Sequence, residues 1–194
     1  MGLFSDFIEG AINSAINFND KDHLFKILCL VIFADNSNAS VYDIKMATLM
    51  YNTIFPNESM IEVQIQKKLK SAYQDICNSN KSPEEIIKDI ETGRIDRNKL
   101  KIFFICACCT ALVNMEVELN NKKLYMVYLI KVGFNLTDDE VNDAYLFAKN
   151  NFGLNNMMYQ NIVTALEEAF EYFDNNLSIL RYIANNTTQT DGSQ

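Results

Sequence analysis

Two stretches decide the fold: Leu24-Phe25-Lys26-Ile27-Leu28-Cys29-Leu30-Val31-Ile32-Phe33-Ala34 and Phe103-Phe104-Ile105-Cys106-Ala107-Cys108-Cys109-Thr110-Ala111-Leu112-Val113. Each is apolar on nearly every face at helical spacing. Helices of that kind belong at the centre of a bundle, covered by amphipathic neighbours. Shifting the chain by 79 residues lays one stretch on the other: Leu24 on Phe103, Phe25 on Phe104, Cys29 on Cys108. The register continues without a gap, with Met46 on Tyr125, Met50 on Leu129 and Phe55 on Phe134. The chain therefore reads as an all-α, single-domain bundle of eight or nine helices with an internal two-fold pseudo-repeat.

Outward from these stretches, helix starts are written in capping boxes, where a Ser or Thr side chain and a carboxylate three residues later satisfy each other's backbone donors. The sequence predicts them at Ser40-Asp43, Ser59-Glu62, Ser82-Glu85 and Thr137-Glu140. Pro83 suits a first helical position, and Gly93 and Gly153 suit helix ends. The expected helices are 3–18, 21–34, 41–54, 60–78, 83–92, 97–113, 119–133, 138–151 and 156–184. The half-repeats then cover about 21–78 and 97–151, between a leading helix (1–18) and a long last helix (156–184). Residues 185–194, NNTTQTDGSQ, have too little apolar content for a packed element and are expected to be a disordered tail.

Composition excludes some functions. The formal net charge is −8 and the pI about 4.7, the wrong sign for tracking a phosphate backbone, so no nucleic-acid partner is expected. Five cysteines form no spaced framework, which fits reduced thiols and a cytoplasmic location. The first basic residue is Lys21, so MGLFSDFIEG is not expected to be a signal peptide, and no apolar run reaches the roughly 20 residues of a transmembrane segment.

No catalytic or cofactor signature stands out, and the expectation is a non-enzyme with no cofactor. Cys106, Cys108 and Cys109 share one helix and cannot converge on a tetrahedral ion unaided. His23 follows Asp22, but a helix start explains that pair as well as a catalytic fragment does. The loop from Asp35 to Ser40, with Asp43 beyond, supplies two weak metal candidates, Asp35 and Asp43. Its oxygens are too few for a firm Ca²⁺ site. Partner-binding candidates are the apolar stripe of the leading helix, including Phe4, Phe7 and Ile8, and the acidic face Glu167, Glu168, Glu171 and Asp174 of the last one. The stripe suits packing on the body of the molecule or on a second copy, as in a homodimer. The acidic face suits a basic partner.

Ile32-Phe33-Ala34-Asp35-Asn36, Asp43, Val132-Gly133-Phe134 and Thr137-Asp138-Asp139-Glu140 together resemble the TerB-like family of helical domains, associated with tellurite resistance and bacterial stress operons. That family pairs two halves, each an apolar helix running into an Asp-Gly loop and an acidic helix start. Here Asn36 replaces the first loop glycine, Asn114-Met115 replaces the second Asp-Gly, and Asn121 and Lys122 stand where a second acidic pair would be. The resemblance implies a scaffold-like protein-interaction domain of a stress-response system. The alternatives are an acidic immunity protein or antitoxin that neutralises a basic toxin, and a metal-binding stress protein using the acidic loop.

Overall fold

The structure, a computed structural model, describes residues 18–34, 38–93, 95–112, 121–152 and 156–187. Among them every regular element is a helix, and no strand occurs. The order is α1 (Phe18–Ile32), α2 (Val41–Ile54), a 3₁₀ turn (Pro56–Glu58), α3 (Glu62–Ser79), α4 (Pro83–Thr92), α5 (Arg97–Leu112), α6 (Asn121–Gly133), α7 (Asp138–Asn151) and α8 (Asn156–Thr187). The leading segment lies outside the described residues. α8 runs three residues past the expected end.

The two apolar stretches occupy the centre. Every side chain of α5 from Leu100 to Leu112 is buried, and in α1 Leu24 to Ile32 are buried apart from Lys26. α1 and α5 pack on each other; α1 also packs on α3 and α6, and α5 on α7 and α2. α1 and α3 run side by side in the same direction, because their contacts keep a nearly constant offset. Lys21 meets Glu58, the Cys29 thiol donates to the Leu69 carbonyl at 3.1 Å, and Phe33 lies 4.3 Å from Tyr73. α5 and α7 are likewise parallel, joined through Arg97 with Glu140, Lys101 with Asp143, and Phe104 with Tyr145.

Three of the expected capping boxes form: Ser40 with Asp43, Ser82 with Glu85, and Thr137 with Glu140. The box at Ser59 does not. Asn52 grips the backbone of Met60 from both sides, accepting from its N–H at 2.7 Å and donating to its carbonyl at 3.0 Å. This clamp holds residue 60 outside the helix. The start moves to Glu62, with Gln64 accepting from the Ile61 N–H at 3.0 Å. Gly93 ends α4 as expected, though with φ −73°, Gly153 lies outside the described residues, and the ends of α3 and α6 are turned by Asn80 and Asn135, which take positive φ, 53° and 49°. The end of α6 is a Schellman motif, in which Leu136 N–H reaches the Lys131 carbonyl and Asn135 N–H that of Val132. Gly133 is required for packing, since a Cβ there would stand 2.4 Å from Ile87 Cγ2 on α4.

Candidate functional site

Four regions carry the chemistry expected from the sequence. The first is the start of α2. Asp43 Oδ2 accepts from the Ser40 N–H at 2.8 Å, and the Ser40 hydroxyl accepts from the Asp43 N–H at 3.1 Å. Its other oxygen takes the Lys123 ammonium at 3.4 Å. The two side chains are 1% and 6% exposed, so this pair is a buried join between the starts of α2 and α6. Asp43 thereby spends its oxygens on a cap and a lysine. Asp35, the other metal candidate, lies outside the described residues. Among the described residues no group of three or more His, Cys, Asp or Glu is placed to hold a metal ion.

Lys123 escaped sequence reading because its partner is 80 residues away and nothing local in Asn121-Lys122-Lys123-Leu124 marks one lysine as buried. Arg97 is a second such residue. It forms a two-pronged contact with Glu140, at 2.6 Å on each arm, and caps the end of α6 through the carbonyls of Phe134 and Asn135. The Arg97 guanidinium holds the Glu140 carboxyl down to about 2, helped by the Thr137 N–H and hydroxyl.

The thiols of Cys106, Cys108 and Cys109 are buried inside α5. Burial pushes the Cys109 thiol up to about 12 and raises the other two well above the ordinary thiol value. A nucleophile or metal ligand needs the thiolate, and this environment suppresses it. Cys29, also buried, is pushed up to about 12 by the same cause.

His23 sits in α1 on the wall of a cavity of about 130 Å³ between α1, α3 and α4, with Lys26, Asp75, Ser79, Lys81 and Asp89. Its Nδ1 is enclosed and makes no hydrogen bond. Desolvation, then the charge of Lys26, lowers its pKa and favours the neutral imidazole. Asp22 acts on it only as a nearby charge, so the two are not joined as a base and its orienting carboxylate.

The fourth region is α8. Glu167, Glu168 and Glu171 are exposed, and none of them forms an ion pair among the described residues. Tyr172, absent from the expected site, is 58% exposed one helical turn beyond Glu168. Its ring stands in solvent beside Glu168 on the exposed side of the helix. Asp174 is different: it accepts from the Tyr128 hydroxyl at 2.6 Å and ties α8 to α6. Phe4, Phe7 and Ile8 lie outside the described residues. No helix among the described residues is long and apolar enough to cross a membrane. Against known proteins, no family, no curated protein and no solved structure matches the chain.

Proposed function

We propose that the protein acts by binding other proteins, as a helical scaffold whose partner surface is the exposed face of α8. The observation that carries this reading is the exposed face of α8 that holds Glu167, Glu168 and Glu171 in solvent, with the exposed Tyr172 at its edge one turn beyond Glu168. Such a face attracts a basic partner over a distance set by the Debye length and then anchors it through the ring. On the TerB-like resemblance the setting is a bacterial stress response of the tellurite-resistance kind, with the domain in the cytoplasm and without catalysis of its own. The parallel pairs α1 with α3 and α5 with α7 are what two halves of that family's kind lead one to expect. The immunity-protein reading uses the same face against a basic toxin. The metal-binding reading is disfavoured by the engagement of Asp43 with Ser40 and Lys123.

Affinity capture from the source cell, followed by mass spectrometry, separates these readings. The wild-type chain and a Glu167→Lys, Glu168→Lys, Glu171→Lys variant serve as the two baits. Membrane-linked stress proteins lost by the variant support the scaffold; a single secreted nuclease-like toxin selects the immunity protein. Capture of the same partners by both baits, with the same salt response, removes α8 as the surface.

A further inference from the structure

The cavity beside His23 is graded from apolar to charged. Its apolar part is made by Ile76 of α3 and by Ile86 and Ile90 of α4, the last two buried. His23 and Lys26 of α1 line it half-buried, while Asp75, Lys81 and Asp89 line it as exposed residues. Two of these charges already satisfy each other, since Lys81 donates to Asp89 at 2.5 Å. Lys26 and Asp75 are different. Both line the cavity, yet neither forms an ion pair among the described residues, with the other or with any third group.

A half-buried ammonium has given up part of its hydration, and Lys26 has no fixed counter-ion in return. A carboxylate brought to it would replace what folding removed. The imidazole of His23, which desolvation and then Lys26 keep neutral, adds no charge. The lining therefore holds two ammoniums, two carboxylates and no net charge. A lone anion or cation gains little there, because each attraction is offset by a like charge close by. A zwitterion gains at both of its ends. The volume is about 130 Å³, and a cavity of about 150 Å³ takes a ligand of roughly six non-hydrogen atoms. We propose that this cavity binds a small aliphatic α-amino acid of about alanine's size, its carboxylate on Lys26, its ammonium on Asp75 and its side chain on the three isoleucines. No residue of α8 takes part, so this site and the partner surface stand or fall separately.

Two-dimensional amide NMR of the chain, titrated with L-alanine, tests it. Saturable shifts are expected at residues 23–26, 75–79 and 86–90, with a Kd of about 1 mM or below. Propionate lacks the ammonium and ethylamine lacks the carboxylate, and each should bind at least about tenfold more weakly. Lys26→Met keeps the aliphatic stem and Asp75→Asn keeps the shape, and each should weaken L-alanine at least about tenfold. Neither charge is in an ion pair among the described residues, so both variants should unfold close to the wild-type midpoint, and a lost signal reports the site and not the fold. Lys68→Met, in the neighbouring hollow between α1 and α3, is the control and should bind L-alanine as wild type does. No saturable shift at about twenty times that concentration leaves the cavity to water and overturns the proposal. Propionate binding as tightly as L-alanine overturns it in favour of a simple anion site. Binding that survives both Lys26→Met and Asp75→Asn overturns it as well.

Discussion

At the start of α2 one carboxylate, Asp43, is sealed against a buried lysine; on α8 three carboxylates stand in water without an ion pair among the described residues. The side-chain chemistry is alike and the consequences are opposite. A buried charge has lost its hydration and depends on its protein partners, so its removal leaves an expensive orphan. A solvated charge has lost nothing on folding and remains available to an incoming molecule. Carboxylates at the first kind of place hold this fold together; those at the second are, on the function proposed above, what a partner meets.

The largest expected effect is at the buried join. Asp43→Ala removes a cap and takes one charged partner from the buried Lys123, and should cost about 2–4 kcal/mol by chemical denaturation. Lys123→Met should also destabilise, and the double variant should lose less than the two single losses combined. That coupling, above about 1 kcal/mol, is the signature of a direct pair. Strict additivity would make Asp43 a helix cap and nothing more, and would narrow the contrast with α8.

Glu140 lies between the two extremes, partly buried and doubly engaged by Arg97. Glu140→Gln should cost about 1–3 kcal/mol at neutral pH. Its folded pKa, about 2, lies below the ordinary 4.5, so the folded state favours the ionised form. The contribution is therefore complete above pH 4.5 and lost as pH falls through 2. The stability gap between wild type and Glu140→Gln should accordingly narrow as pH is lowered through this window. A gap that stays constant would mean that the Arg97 contact does not depend on the charge of Glu140.

Which of these features could be read from the chain follows from the range of the interactions involved. The boxes at Ser40, Ser82 and Thr137 involve residues three apart, and they were legible. So were α1 and α5, since a helix apolar on all sides has only one place in a bundle. The box at Ser59 failed because Asn52, seven residues upstream, holds the neighbouring Met60 backbone in a competing contact. Lys123 and Arg97 were illegible for a related reason, because their partners lie 80 and 43 residues away in sequence. On α8 the carboxylates were legible through their helical spacing. The buried face was legible too, since Ile162, Leu166, Phe170 and Phe173 recur at helical spacing and leave Tyr172 off the stripe, but nothing in that spacing separates an exposed binding residue from an ordinary solvated one.

The smallest effect on stability is expected on α8, where it separates binding from folding. Reversing Glu167, Glu168 and Glu171 to Lys should change the unfolding free energy by no more than about 0.5 kcal/mol per site, since none of these groups forms an ion pair among the described residues. The same variant should slow association with a basic partner, and most of the difference from wild type should vanish as added salt shortens the screening length. Tyr172→Ala should act on the other kinetic constant: losing an anchor ring speeds dissociation and leaves the salt response unchanged. Stopped-flow or surface-binding kinetics at two ionic strengths distinguishes these two patterns. If the triple reversal instead lowers the melting temperature as far as Asp43→Ala does, the α8 carboxylates are bound into the fold. The contrast between sealed and solvated charge would then fail, and the partner surface would have to be sought elsewhere on the molecule.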